Sequence, residues 1–151
     1  MKLSEYLTPD RVAILSGRTK AEALSEMVGL VAAAGPGVDR ESLEAAVRHR
    51  ESLMSTGIGH GLAIPHVRMA GLKRAYMAVG VSREGIADYD SLDGKPVRII
   101  VLIAAPQGQH ELYIRLLAQV TENLKDPAPR AAIVAGEDPS RIYELLLGEE
   151  R

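Results

Sequence analysis

Cysteine, phenylalanine and tryptophan are all missing from the 151 residues. Without cysteine the chain forms no disulfide and offers no thiolate to a metal, which suits a reducing compartment. Without Phe or Trp, the core has to be filled by Leu, Ile, Val, Ala and Met. Basic clusters are missing as well. The 18 Lys and Arg against 20 Asp and Glu leave a net charge of −2, and the five tyrosines are not interleaved with basic residues. No nucleic-acid partner is expected from such a surface. Nowhere do about 18 apolar residues follow one another, so no membrane span is expected. Met1-Lys2-Leu3-Ser4-Glu5 brings an acid at once and no apolar run after it, so no signal peptide is expected either, and the cytoplasm is the expected compartment.

The length suits a single domain over residues 1–151, with no internal repeat or long linker. A chain of this size buries roughly 68–70% of the surface it exposes unfolded. Val12-Ala13-Ile14-Leu15 is a short apolar run that predicts a first strand. From Lys20 to Ala34, Leu24, Met27, Val28 and Val31 recur at helical spacing, with Thr19 as N-cap and Gly35-Pro36-Gly37 as a stop. Asp39 caps a second helix reaching Arg50, with Leu43, Ala46 and Val47 as its buried stripe. Strands are expected at 62–64, 75–81 and 97–104, the last a nearly continuous apolar run typical of a strand covered on both faces. Asp93-Gly94-Lys95-Pro96 reads as a turn. Tyr113, Leu116, Leu117, Val120 and Leu124 share a helix face, a short helix spans 129–135, and Asp138-Pro139 opens a last helix to Leu147. Helices on both sides of a group of strands predict α/β layering, with a sheet covered on both faces.

Of the four histidines, His49, His60, His66 and His110, one stands out. His66 follows Pro65 at the end of Leu62-Ala63-Ile64, and proline leaves the chain little freedom as it enters the imidazole. A nucleophile fixed in advance need not be ordered in the transition state. Upstream, Ser55-Thr56-Gly57-Ile58-Gly59-His60-Gly61 alternates glycines in a way that lets backbone N–H groups converge on an anion. Neither a Walker loop nor a dinucleotide fingerprint fits this stretch. His49, between Arg48 and Arg50, reads as an ordinary surface histidine.

Residues 50–66, Arg-Glu-Ser-Leu-Met-Ser-Thr-Gly-Ile-Gly-His-Gly-Leu-Ala-Ile-Pro-His, resemble the signature of the fructose/mannitol-type enzyme IIA family of the sugar phosphotransferase system. That family includes the nitrogen-regulatory enzyme IIA proteins. Residues 86–97 also look like the family segment before the central strand, and His110 falls where the family carries a second histidine. The resemblance implies a three-layer α/β/α sandwich around a small mixed sheet. It implies that His66 accepts a phosphoryl group from the phosphocarrier protein HPr or its nitrogen-branch counterpart, with His110 as the second active-site histidine. Arg50, Ser55, Thr56, Gly57, Gly59 and Gly61 are then expected to bind the phosphoryl group, with no cofactor and no metal.

Three positions depart from the family pattern: His60 where Asn is frequent, Val67 where a small residue is preferred, and Glu111 where Leu is usual. None removes a group the chemistry needs. A short helix-like lead before the first strand and an end at Arg151 without a fused enzyme IIB or IIC segment favour a regulatory protein over a sugar-uptake component handing phosphate to enzyme IIB. A binding regulator without phosphotransfer is disfavoured by His66, His110 and Arg50 occurring together. A metal hydrolase using His60, His66 and His110 lacks any H-E-x-x-H-like spacing.

Overall fold

Local signals in the chain set most of its elements. In the computed structural model, which describes residues 2–35 and 37–148, β1 (Val12–Ile14) is followed by α1 (Lys20–Ala34). The start of α1 is fixed by a capping box: the Thr19 side chain accepts from the Glu22 N–H, and Glu22 reaches back to the Thr19 N–H. Asp39 caps α2 (Arg40–Leu53) by accepting from Ser42 N–H. Pro36, part of the expected stop signal, lies outside the described residues.

After α2 come β2 (Gly57–Gly59), β3 (Leu62–Ala63) and β4 (His66–Met69). The long strands β5 (Tyr76–Ile86) and β6 (Val97–Pro106) follow, and then α3 (His110–Asn123), α4 (Pro127–Val134) and α5 (Pro139–Leu147). Asp138 caps α5, with proline at its first position as the sequence predicts.

The sheet is mixed, in the order β1-β5-β6-β3-β2, with β4 also on β6. Strands β1 and β5 run parallel, β5 and β6 antiparallel, and both β3 and β4 lie parallel to β6. Side chains of β6 alternate between two cores. Ile99, Val101, Ile103 and Ala105 pack with Leu116, Val120, Ile133, Ile142 and Leu146 from α3, α4 and α5. Ile100, Leu102 and Ala104 pack with Leu24, Met27, Val28 and Val31 of α1 and with Leu43 and Val47 of α2. This is the expected three-layer α/β/α arrangement. With no Phe or Trp, aliphatic side chains worth about 1.5–3 kcal/mol each carry the burial.

The segment 62–69 differs from expectation. It was predicted as one short strand ending at Ile64, but two strands share the same edge of β6, separated at Ile64-Pro65. Proline has no N–H to give, so the ladder breaks there and resumes once Pro65 O has accepted from Ile103 N–H at 3.0 Å. His66 therefore opens a strand instead of closing one.

The turn from β2 to β3 holds three successive residues at positive φ, Gly59 at 98°, His60 at 58° and Gly61 at 76°. A non-glycine residue there carries a left-handed penalty of about 1–2 kcal/mol, partly offset against glycine by the smaller entropy of its unfolded state. Replacing His60 by Gly is expected to raise stability by about 0.5–1 kcal/mol, seen as a higher urea midpoint at unchanged m.

Candidate active site

Gly61 and Pro65 turn their carbonyls to β6, so the carbonyl of Ile64, between them on the opposite side, is free to take a side-chain proton. His66 Nδ1 lies 2.6 Å from Ile64 O. A carbonyl oxygen only accepts, so Nδ1 carries the proton and Nε2 keeps its lone pair. The ring is half-buried at the mouth of a cavity of about 420 Å³ between α2 and α3, at the sheet edge that β4 forms. Ala46, His49, Arg50 and Leu53 of α2 line one side, and His66, Arg68 and Tyr113 the other.

Burial is the chief reason that the His66 pKa is pushed below its ordinary 6.5, and the nearby positive charge of Arg50 adds to it; the Ile64 carbonyl and the Glu51 charge act in the opposite direction. Burial thus favours the neutral ring, with Nε2 unprotonated. Folding that favours the neutral ring contributes stability that is complete above the unfolded value and drains away as the pH falls through the lower folded one. An NMR titration of the ring is expected to place its midpoint below 6.5, and the acid limb of any reaction at Nε2 is expected to follow it.

Arg50 projects from the last turns of α2 and donates through Nη1 to Met54 O at 2.8 Å, leaving the rest of its planar fork for the cavity. His110 is the first residue of α3 and is exposed. It opens onto a neighbouring depression rather than the His66 cavity. Tyr113, one turn further along α3, touches both rings, at 5.2 Å from the His66 centroid and 6.3 Å from that of His110.

The sequence reading missed Arg68. Its Nη1 donates to His110 Nδ1 at 3.0 Å and its guanidinium lies 5.5 Å from the centre of the Tyr113 ring. A guanidinium only donates, so the neutral His110 ring carries its proton on Nε2. Spacing held the signal: in a strand, residues i and i+2 share a face, and Arg68 is two residues after His66.

The glycine loop lies apart from the His66 cavity. Ser55 donates to Asp90 O at 2.5 Å and accepts from Gly57 N–H, and the Thr56 N–H and hydroxyl both go to the Glu51 carboxylate. A Cβ on Gly57 would overlap the Asp90 carbonyl, so glycine is needed there for packing. Gly59 and Gly61 shape the turn, whose His60 N–H is taken by Asp93 Oδ2 at 2.8 Å. None of these five residues lines the His66 cavity. The Ser55 and Thr56 hydroxyls and the Thr56, Gly57 and His60 N–H groups are engaged in holding the loop. His60 faces a different cavity with Arg98 and Arg130, so His60, His66 and His110 do not converge. Among the described residues no group of three or more His, Asp or Glu is placed to hold a metal ion.

The departures at 67 and 111 have simple settings. Val67 is buried in the α1/α2 core, where a β-branched side chain suits a strand. Glu111 is exposed in the first turn of α3, where the helix dipole favours an acid.

A layered α/β/α fold with a neutral, fixed imidazole between two arginines defines a phosphoryl-transfer component, and residues 5–148 match the family described as phosphoenolpyruvate-dependent sugar phosphotransferase system, EIIA 2. The chain belongs to that family. It is 30% identical over 148 residues to the nitrogen regulatory protein of Pseudomonas aeruginosa, covering 97% of this chain and 96% of that protein. It is 33% identical over 147 residues to the fructose-specific EIIABC component of Bacillus subtilis, covering 97% of this chain but only 23% of that much longer protein. Among solved structures, the nitrogen regulatory protein IIA-Ntr of Neisseria meningitidis superposes with a TM-score of 0.88 at 25% identity, over 95% of this chain and 98% of that one. No helix among the described residues is long and apolar enough to cross a membrane.

Proposed function

We propose that residues 1–151 act as one enzyme IIA unit in the cytoplasm, a phosphohistidine carrier that takes its phosphoryl group on Nε2 of His66. The observation that carries this is the 2.6 Å bond from His66 Nδ1 to Ile64 O, which leaves Nε2 as the nucleophile on a ring facing a cationic cavity. The donor is an HPr-type phosphocarrier whose own phosphohistidine reaches into that cavity. As the Nε2–P bond forms, the N–P bond to the donor imidazole breaks, and the electron pair returns to the donor ring. The transition state is loose, so positioning and charge do the work. Arg50 meets the equatorial oxygens from α2, and Arg68, held by His110 Nδ1, supports them from the other side.

The exposed apolar side chains of Leu53 at the end of α2, Met54 just after it and Ile114 on α3 suit a docking partner. Near-complete coverage of the Pseudomonas nitrogen regulatory protein favours a regulatory role. The Bacillus relative, named EIIABC, favours a second reading in which an enzyme IIB accepts the phosphoryl group from His66. Incubation with phosphoenolpyruvate, enzyme I and HPr tests the proposal. One acid-labile phosphoryl group is expected by intact mass, assigned to Nε2 by 31P and 15N NMR. No gain in mass, or phosphorylation at Nδ1, overturns it. Adding an enzyme IIB then separates the two readings.

A further inference from the structure

Glu51 is a carboxylate that a phosphoryl-binding cavity has no evident use for, yet it is almost wholly buried. Its side chain is 4% exposed, at the end of α2 directly after Arg50. A buried charge needs partners on every lone pair, and each partner here is identifiable. Lys20 Nζ, at the start of α1, lies 3.0 Å from Oε1. Thr56 N–H donates to the same oxygen at 3.2 Å, and the Thr56 hydroxyl donates to Oε2 at 2.5 Å. With its own proton committed to Glu51, Thr56 Oγ1 accepts from Tyr89 Oη–H at 2.8 Å. Burial, followed by the Glu51 charge, pushes the Tyr89 pKa far up, so this phenol stays a donor.

The chain does not stop at Thr56. Its carbonyl accepts the Ile64 N–H at 3.1 Å. The carbonyl of the same residue, in the next peptide plane, goes to His66 Nδ1 at 2.6 Å. Ile64 faces away from β6, whose Ile99 and Ile103 N–H groups go to Gly61 O and Pro65 O, so its own hydrogen bonds are made on the other side, with Thr56 and His66. The geometry points to Glu51 as a positioning residue for phosphoryl transfer: through Thr56 and Ile64 it orients the carbonyl that fixes the proton of His66 on Nδ1 and leaves Nε2 free. The inference rests on the carrier reading but concerns a residue that touches neither the phosphoryl group nor the reacting nitrogen.

The substitutions Glu51→Gln and Thr56→Val test it, the first removing the charge and the second the hydroxyl at nearly constant shape. In the unphosphorylated protein, 15N NMR of the imidazoles reports the tautomer directly. Wild type is expected to hold the Nδ1–H form alone, and each variant to show a mixture with Nε2–H. Transfer from phosphorylated HPr is expected to fall on the order of tenfold or more in kcat with KM unchanged, since misplacement of a reacting group slows the step rather than docking. Thr56→Ser, which keeps the hydroxyl, is expected to restore both readouts. Folded variants with the wild-type tautomer and wild-type kcat would overturn the inference. If wild type takes up no phosphoryl group at all, the carrier reading fails, while the tautomer measurement still decides the role of Glu51.

Discussion

Replacing His66 by alanine is expected to remove all phosphoryl uptake from phosphorylated HPr and to leave the fold intact. The first half follows from the absence of any other imidazole in the same setting. His49 lines the same cavity but sits on the exposed face of α2, and His110 has its Nδ1 committed to Arg68 and opens onto a different depression. No residual site is therefore positioned to take over. The second half follows from where the ring lies. It is half-buried at an edge strand, and its one hydrogen bond is to a local carbonyl, so truncation costs little packing. Intact-mass measurement after incubation with the complete donor chain checks both, alongside a thermal melt. An alanine variant that gains one phosphoryl group at the wild-type rate would show that the acceptor is elsewhere.

Arg50→Ala carries the second-largest effect. A charged donor aimed at oxygens whose charge grows in the transition state is worth about 10²–10³ in rate, or roughly 2.7–4 kcal/mol. Arg50 meets that description: its fork lies in the cavity with one nitrogen anchored on Met54 O, so little ordering remains when the phosphoryl group arrives. The variant is expected to lose about 10²–10³ in transfer rate by rapid-quench measurement. Arg50→Lys is expected to recover only part of it, because an ammonium keeps the charge but not the planar fork. Loss of the Met54 contact frays the end of α2, and a denaturant midpoint separates that cost from the kinetic one. A wild-type rate in the alanine variant would remove Arg50 from the mechanism.

Much of this fold was legible because its punctuation is local. Thr19, Asp39 and Asp138 announce helices three residues ahead of the N–H groups they cap, and the apolar run in β6 declares a strand buried on both faces. The family signature located His66 and Arg50, and both line the cavity. What failed to show depends on contacts across the chain. Pro65 looks like the end of a strand, and only pairing with β6 reveals that the strand resumes at His66. Arg68 stayed hidden for the same reason, since its register on β4 has no meaning until β4 is recognised. The setting of the glycine loop was not legible, because spacing tells that a backbone can bend, not where its donors point. Here they point to Ser55, Glu51 and Asp93.

The attachment of His66 to β4 has a mechanical corollary. An acceptor bolted to a sheet edge cannot travel, unlike a prosthetic group on a swinging tether. On the carrier reading, phosphate is delivered to a stationary berth and collected from it, so incoming and outgoing partners take turns at one quay.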